Sequence, residues 1–348
     1  MHPRKTPLRT PRPLLIGLLC LALLAAVALA ACGSGGGGAD ELTLYNGQHE
    51  QTTALLVKDF ERQTGIKVRI RSADEATLAN QIVQEGSNSP ADVFYAENTP
   101  ALENLGKKGL LAPVQQATLA AVPPRSSSSR GDWVGVSARV SELVYNPSEL
   151  GAAPVPSAIL ELAEPRYSSK VGFAPSETDF LPLVSAVSRL HGRAATESWL
   201  KALQEHGHIY PDNETVVSQV NNGQAGLGPI NQYYWYRLRR EQGEGGTHSR
   251  LQPYAKGDAG NLIVVSGAAA LRSSHKQASA QKLLAYLVSA GAQQALAASD
   301  SYEYPLRPGV APPAGLPPLS SFGPSALTPA QLGDGREALE IEQRLGLL

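Results

Sequence analysis

The sequence predicts an α/β fold in two lobes, and three features support this prediction. From Glu41 onward, short apolar strands alternate with amphipathic helices. A second alternation of strand and helix patterns runs from Val171 to Ile230, after a break at 122–131 that is rich in proline and serine. The run 262–271 is apolar throughout, like a strand buried on both faces, so the first lobe is expected to be completed late in the chain.

The first lobe opens with repeated strand and helix patterns. Leu42 and Leu44 alternate along a short strand, whereas Leu56 and Phe60 mark the buried stripe of a helix that Gly65 would end. The predicted elements are, in order, a strand at 42–44, a helix at 50–64, a strand at 66–70, a helix at 75–85 and a strand at 91–95. This alternation is typical of a parallel, layered sheet.

The rest of the chain continues after a loop at 122–131 whose composition predicts that it is exposed. The segment from Trp133 to Tyr145 has the pattern of a strand that could cross between the lobes. The remaining predicted elements are helices at 181–191 and 197–205, a strand at 262–271, a helix at 276–298, a proline-rich surface segment at 305–329 and a last helix at 329–345.

The N-terminus has the pattern of a secretory signal peptide at 1–31, in which basic residues precede an apolar run. The run ends in Leu29-Ala30-Ala31-Cys32, which resembles the lipobox of bacterial lipoproteins and predicts lipidation of Cys32. The glycine-rich stretch that follows, to residue 40, predicts a flexible tether. A transmembrane helix is the alternative interpretation of this segment.

Charge and cysteine content exclude several classes of function. The only other cysteine, Cys20, lies in the predicted signal peptide, so no thiol remains for a disulfide, a redox motif or a zinc site. The chain has 30 basic and 31 acidic residues, and removal of the signal peptide makes the balance more acidic. Nucleic-acid binding, which needs a basic face, is therefore not expected.

Four side chains far apart in the sequence are predicted to form one site. His49 and Glu97 directly follow predicted strands, and ligands of open α/β sheets bind beyond the carboxyl ends of strands. Tyr233 and Tyr234 stand at the predicted start of a helix, where side chains about 100° apart can converge. Asn231 is a suitable N-cap for that helix.

This donor set favours a hard, highly charged cation, and ferric iron fits best. A trivalent cation would deprotonate phenols that are neutral in water at pH 7. Two phenolates and one carboxylate then cancel the charge of Fe(III), and about two of six octahedral positions stay open for water or a small anion. Each residue also has a simpler explanation: His49 as a turn residue, Glu97 as a solvated carboxylate and the tyrosines as packed aromatics.

Segments spread along the chain resemble one known family. They are Tyr45-Asn-Gly-Gln-His49, Pro90-Ala-Asp-Val-Phe-Tyr95, Gly109-Leu-Leu-Ala-Pro113, Asn231-Gln-Tyr-Tyr-Trp-Tyr236, Ser266-Gly-Ala-Ala269 and Glu303-Tyr-Pro-Leu-Arg307. Through them the chain resembles the ferric-ion-binding proteins of bacterial ABC transporters, or bacterial transferrins. The resemblance implies a type II periplasmic-binding-protein fold, with two lobes, each a mixed sheet flanked by helices, and a ligand cleft between them.

The resemblance also implies roles for individual residues. In that family the positions matching His49, Glu97, Tyr233 and Tyr234 are the protein ligands of the iron. Members also hold a synergistic anion, and the residues expected to line its subsite here are Arg139, Ser176, Thr178, Asn213 and Asn231. Because the segment 175–179 brings two carboxylates to this subsite, carbonate or water is expected rather than phosphate. The alternative for Arg139 is a structural arginine paired with a nearby carboxylate.

The organisation and partners follow from the same resemblance. We expect lobe 1 to comprise 41–138 and about 263–310, and lobe 2 to comprise 139–262 and about 311–348. The chain would be a monomeric, lipid-anchored binding protein on the extracytoplasmic side of the cell membrane, without catalytic activity. It would deliver ferric iron to a membrane permease energised by a separate ATPase.

Three other functions are compatible with parts of the sequence. A type II binding protein for an organic anion, a polyamine or a thiamine-like ligand would use Trp235 and Tyr236 for stacking. A metal-dependent hydrolase would need a nucleophile motif or a histidine cluster, and neither is found in the sequence. A surface adhesin would be expected to show a repeat or an exposed apolar signature, which the sequence also lacks.

Overall fold

The computed structural model describes residues 41–348. The predicted signal peptide at 1–31 and the anchor and tether at 32–40, with Cys32, lie outside the described residues. The strands are β1 (Glu41–Gly47), β2 (Lys67–Ser72), β3 (Val93–Ala96), β4 (Val134–Tyr145), β5 (Gly172–Phe173), β6 (His208–Ile209), β7 (Leu227–Asn231), β8 (Arg250–Gln252), β9 (Ile263–Ala270) and β10 (Tyr304–Pro305).

The helices predicted at 50–64 and 75–85 form as expected, because their apolar stripes face the sheet. Gly65 ends the first of these two helices with a φ of 71°. The α-helices are α1 (Glu50–Thr64), α2 (Glu75–Glu85), α3 (Thr99–Lys107), α4 (Gln116–Leu119), α5 (Pro147–Leu150), α6 (Phe180–His191), α7 (Arg193–His206), α8 (Asn213–Asn221), α9 (Gln232–Gly246), α10 (Gln277–Leu287), α11 (Ala290–Ala297), α12 (Pro329–Leu332) and α13 (Arg336–Leu345).

The main sheet has the strand order β10-β4-β9-β3-β1-β2 and is mixed. Strand β1 is parallel to both β2 and β3, whereas β9 is antiparallel to β3 and to β4. The parallel pairing predicted for the first three strands is confirmed. The sheet as a whole is mixed, because the late strand β9 inserts between β3 and β4 in the opposite direction. The mixed sheet implied by the family resemblance is confirmed.

Strand β4 is long and pairs with different partners along its length. Its first half pairs with β9 and β10, and its second half, Ser141–Tyr145, pairs with β7 and β8. The division of the chain into lobes at the predicted boundaries remains a prediction.

Buried apolar side chains form three clusters. The first core combines β1, β3 and α1 with β9 and α10, and it includes Leu42, Phe60, Phe94, Trp133 and Leu283. The second core includes Leu143, Phe173, Trp199, Leu203 and Ile341. The third core includes Val216, Ile230, Tyr233, Tyr234 and Trp235. The two candidate tyrosines thus pack within an aromatic cluster as well as facing the polar groups described below.

The loop predicted as exposed at 122–131 is partly buried. Ser126, Ser127 and Ser128 are all buried, and the Ser127 hydroxyl accepts a hydrogen bond of 3.1 Å from the Gly135 amide. A Cβ at Gly135 would lie 2.1 Å from the Ser126 carbonyl oxygen, so the loop approaches β4 too closely for a side chain there. Composition indicated exposure because serine is polar, but the hydroxyls of Ser127 and Ser128 find hydrogen-bond partners inside the fold.

Two predicted helices are each divided in two. The helix predicted at 276–298 breaks between α10 and α11, where the Ser289 hydroxyl caps the second helix by accepting from the Ala292 amide. The helix predicted at 329–345 breaks between α12 and α13 at Gly333 and Gly335, which have φ of 81° and 72°. The segment before it lies largely on the surface, with Leu316 and Phe322 packed into the first core.

Within residues 41–348, none of the helices combines the length and apolar character that crossing a membrane would require.

Glu342 in α13 carries a buried carboxyl group that has no hydrogen-bond partner. It is 1% exposed, and neither side-chain oxygen has a hydrogen-bond partner. Burial raises its pKa to about 8. Because the unfolded chain loses this proton near the ordinary pKa, the group costs stability progressively as the pH rises from about 4.5 to about 8.

We expect Glu342→Gln to stabilise the protein at pH 8 by on the order of 3 kcal/mol and to have little effect at pH 5. Urea unfolding at the two pH values measures this difference. Glu340→Gln, on the exposed face of the same helix, is the matched control and should change neither value. An equal effect of Glu342→Gln at both pH values would show that burial does not raise the pKa of Glu342.

Candidate metal centre

His49 lies in the turn between β1 and α1 and is held by the residue before it. The Gln48 side-chain oxygen accepts from the His49 amide at 2.7 Å and lies 2.8 Å from the His49 Nδ1. Gln48 is itself fixed by Asn46, whose side chain bonds both the amide and the carbonyl of Gln48. An imidazole that donates from Nδ1 keeps its lone pair on Nε2, the form that binds metals.

The His49 imidazole is neutral at physiological pH. Burial lowers its pKa to about 3, with the positive charges of Arg237 and Arg139 acting in the same direction. Its Nδ1 lies 3.5 Å from Glu97 Oε1, so this is a contact of a neutral ring with a carboxyl group. A neutral imidazole needs to lose no proton before it binds a metal.

Glu97 directly follows β3, beside the carboxyl end of the parallel strand β1. Its backbone carbonyl accepts a 2.6 Å hydrogen bond from Arg139 Nη1. The neighbouring Asn98 is bonded by Arg139 Nη2 and by both carboxylate oxygens of Glu75. Gly47 allows this arrangement, because a Cβ there would lie 2.5 Å from the Glu75 Cβ. The Glu97 side chain is thereby aimed into the site by buried contacts on both sides.

Tyr233 and Tyr234 occupy the first turn of α9, directly after β7. Their ring centroids are 4.0 Å apart and the rings are tilted by 32°, so both phenols point toward the same region. Asn231 is the N-cap residue, as predicted, but its side chain makes no capping hydrogen bond and its Nδ2 is buried without a partner. Gln232 instead ties the helix start to β4 by accepting from the Val140 amide at 2.7 Å.

The structure brings the four predicted ligand residues together. The Tyr233 hydroxyl lies 3.3 Å from Glu97 Oε1, and the His49 and Tyr233 rings meet edge to face at 5.2 Å. Because His49 also contacts Glu97, the side chains of His49, Glu97 and Tyr233 all touch one another directly. Tyr234 joins them because its ring contacts that of Tyr233. Their role as iron ligands remains a prediction.

A fifth side chain, that of Asp179, lies between the two phenols. Its Oδ2 accepts hydrogen bonds from Tyr233 at 3.2 Å and from Tyr234 at 3.3 Å. Its Oδ1 accepts from Arg139 Nη2 at 2.9 Å. In the sequence Asp179 appeared only as one of two carboxylates that would repel an anion, and nothing in the local pattern indicated that it contacts both tyrosines.

Arg139, from β4, is fully buried among acidic groups. Burial disfavours the charged guanidinium and acts to lower its pKa, but the negative charges of Asp179 and Glu97 raise the pKa of Arg139 above the ordinary value. Both Nη atoms are bonded to protein groups, while Nε has no partner. These contacts correspond to the structural alternative considered for this residue.

The other residues predicted for the anion subsite have varied surroundings. The Ser176 hydroxyl donates to the Pro211 carbonyl, and the Thr178 hydroxyl donates to Glu97 Oε2 at 3.3 Å. The buried Asn213 bonds Glu177 through its backbone amide. Asn231 alone among these residues keeps a buried donor without a partner. Their role in holding an anion remains a prediction.

The phenol hydrogens of the site stay bound when no cation is present. Burial raises the pKa of Tyr233 and of Tyr234 well above 10, and the charge of Asp179 raises both further. Burial and Asp179 likewise raise the pKa of Glu97 well above its ordinary value. A cation that binds the two phenols must therefore displace their protons.

The chemistry of the site depends on the phenols. In the described part of the chain, no group of three or more His, Cys, Asp or Glu side chains is arranged to hold a metal ion without other donors. With Tyr233 and Tyr234 included, the donors are oxygen atoms and one imidazole, which suits a hard cation and excludes thiolate-dependent metals.

Comparison with known proteins identifies the family. The family described as bacterial extracellular solute-binding protein has a model that matches residues 88–320. This chain belongs to that family. The family resemblance inferred from the sequence is thereby confirmed.

Several relatives of this solute-binding protein have names that refer to ferric iron. The Fe(3+)-binding periplasmic protein of Serratia marcescens is 37% identical over 329 residues, which cover 94% of this chain and 97% of the relative. The major ferric iron-binding protein of Neisseria meningitidis is 36% identical over 309 residues, which cover 88% of this chain and 93% of the relative.

A solved structure gives the same result for the fold. Iron-bound HitA from Pseudomonas aeruginosa superimposes with a TM-score of 0.84 at 42% identity, over 88% of this chain and 99% of HitA. The predicted two-lobed periplasmic-binding-protein fold of this solute-binding protein is confirmed.

Proposed function

We propose that this solute-binding protein captures ferric iron and delivers it to the permease of an ABC transporter. The observation that carries the proposal is the convergence of His49, Glu97, Tyr233 and Tyr234 at one buried point. Relatives that cover most of the chain bear ferric iron in their names, which supports the same cargo. The chain would bind and release iron without changing it chemically.

The charges of the site fit a trivalent cation. Without iron, the two phenols hold their protons and donate hydrogen bonds to Asp179. Iron binding would displace both phenol protons and turn the oxygens toward the metal, while His49 enters as a neutral donor. A divalent cation polarises a phenol more weakly than ferric iron does, so the displacement itself favours Fe(III).

The proposed proton displacement predicts a steep pH dependence. Two phenols with raised pKa lose protons for each ion bound, and Glu97, whose pKa burial also raises, adds to the proton loss wherever it is protonated. We therefore expect the affinity for Fe(III) to fall by at least about 100-fold for each pH unit between pH 8 and pH 6. Competition with citrate, corrected for the protonation of citrate, measures the slope. His49 adds nothing to it in this range, because its pKa is about 3.

Tyr234→Phe provides the control, because one displaced proton fewer should make the fall in affinity about tenfold smaller for each pH unit. An affinity that does not change between pH 8 and pH 6 would contradict the displacement of phenol protons.

Delivery would depend on closure of the two lobes around the ion. His49 and Glu97 follow strands of the first core, whereas both tyrosines belong to the third core. Iron that binds both sets of ligands would favour the closed form, so binding and closure would be one equilibrium. The permease would recognise the closed form, and lipid on Cys32 would keep the monomeric protein at the extracytoplasmic membrane surface.

Metal analysis of the protein purified from its native envelope tests the function. We expect about one iron per chain and a visible absorption band from phenolate-to-iron charge transfer, and both should be lost when excess citrate removes the metal. An organic anion, polyamine or thiamine-like molecule found in place of iron would contradict the proposal and support the alternative cargo. Turnover of a substrate by the iron-loaded protein would contradict a pure binding function.

A further inference from the structure

We propose that a cavity between α9, β8 and the proline-rich segment is a second ligand site, which binds a planar organic anion such as an aromatic carboxylate. The cavity has a volume of 410 Å³, and small-molecule sites usually measure about 300–1,000 Å³. The lining residues that would recognise the anion are Trp235, Tyr236, Arg239, Glu244, Ser249 and Arg250. None of them is a predicted iron ligand, so the inference does not depend on the proposed ferric-iron function.

Two aromatic side chains form one wall of the cavity. The rings of Trp235 and Tyr236 meet edge to face, with centroids 5.1 Å apart and planes at 85°. These are the residues on which an organic cargo would stack in the alternative function. The structure separates them from that role, because both line this cavity while the hydroxyls of Tyr233 and Tyr234 face the metal centre. Such a wall suits a flat π system, which binds through stacked and edge-to-face contacts.

Hydrogen bonds hold the aromatic wall in place before any ligand binds. Trp235 Nε1 donates to Ser249 Oγ at 3.2 Å, and that hydroxyl donates to Asn221 Oδ1 at 2.9 Å. The same buried amide oxygen also accepts from the backbone amides of His248 and Ser249. Because these side chains are already ordered, a ligand would lose little affinity to the ordering of its site.

The charges around the cavity favour a ligand with one negative charge. Arg239 lies over the Trp235 ring, with its Cζ 5.3 Å from the centroid, and is paired with Glu244 at 2.8 Å. Arg250 is exposed, and within residues 41–348 its side chain has no ion-pair partner. Two arginines and one glutamate therefore leave one positive charge at the cavity. A guanidinium group binds a carboxylate through two parallel hydrogen bonds, so a carboxylate on an aromatic ring matches both the charge and the wall.

Titration calorimetry of the purified full-length protein, freed of iron, tests the proposal. The probe is benzoate, and its two comparison compounds are cyclohexanecarboxylate, which lacks the π system, and benzamide, which lacks the charge. We expect benzoate to bind with a Kd below about 1 mM. Both comparison compounds should bind at least about fivefold more weakly, because each loses one of the two recognised features.

Arginine variants link the binding to this cavity. Arg250→Met and Arg239→Met should each weaken benzoate binding by about tenfold, because each removes a charged hydrogen-bond donor. Arg166→Met is the matched control, since Arg166 also lies over an aromatic ring, that of Tyr167, and is also paired with a carboxylate, that of Glu164. It lies outside the cavity and should leave the affinity unchanged. Thermal unfolding confirms that each variant is folded.

A crystal structure with para-bromobenzoate, with anomalous diffraction collected at the bromine absorption edge, locates the ligand independently of the variants. We expect a bromine peak in the cavity beside Trp235 and Arg250. A peak found only at the metal centre, an affinity for benzoate that neither arginine variant changes, or no binding of benzoate at millimolar concentration would each overturn the proposal. These results leave the ferric function untouched, because none of them depends on iron.

Discussion

Replacement of both tyrosines by phenylalanine is expected to abolish the visible absorption band of the iron-loaded protein. The band requires phenolate bonded to Fe(III), and Tyr233 and Tyr234 supply both phenols of the site. Each single variant should lower the affinity by more than about 100-fold, because loss of a direct ligand exceeds the effect of losing an outer-shell contact. Citrate competition and the visible spectrum measure both effects.

Tyr236→Phe is the matched control, because this tyrosine lies on the same helix but stacks on Tyr302 with a centroid separation of 5.7 Å. It should leave the band and the affinity unchanged. Phenylalanine preserves the packing of the aromatic cluster, so the doubly substituted protein should still fold. Unchanged affinity in that double variant would show that the tyrosines serve only as core side chains.

Removal of the buried guanidinium is expected to cause the largest loss of stability. In Arg139→Met the carboxylates of Asp179 and Glu97 lose the positive charge that lies between them. Removing one partner from a buried ion pair typically costs about 3–5 kcal/mol, because the remaining charge stays uncompensated. Urea unfolding of the iron-free protein at pH 8 measures this loss.

The same variant should recover part of its stability as the pH is lowered. Without Arg139, the pKa of Glu97, already raised by burial and Asp179, rises further, so folding takes up protons and is favoured at lower pH. Arg240→Met, which removes an exposed arginine paired with Asp300, should cost at most about 1 kcal/mol. Wild-type stability of Arg139→Met at pH 8 would contradict the neutralising role of the guanidinium.

Local patterns predicted the elements that position the candidate site. Alternation at Leu42 and Leu44, the stripe of α1 and its end at Gly65 needed only the local sequence, because propensity and capping are local properties. The convergence of His49 and Glu97 also followed from simple geometry, since both come after parallel neighbouring strands.

Local sequence patterns could not predict the long-range contacts of the site. Asp179 meets the tyrosines across more than fifty positions, and Arg139 meets Glu97 and Asp179 across about forty. No spacing rule relates these residues, because β4, α6 and α9 are brought together only by the tertiary fold. The direction of β9 and the burial of Ser126–Ser128 have the same origin, since each depends on a partner distant in sequence.

We propose above that His49, Glu97, Tyr233 and Tyr234 bind one ferric ion. A crystal structure of the iron-loaded protein, with anomalous diffraction collected at the iron absorption edge, tests it most directly. We predict one strong anomalous peak within about 2.2 Å of the imidazole, the carboxylate and both phenol oxygens. An iron peak elsewhere in the molecule, or one that lacks the two tyrosines as neighbours, would show that these four residues are not the iron ligands.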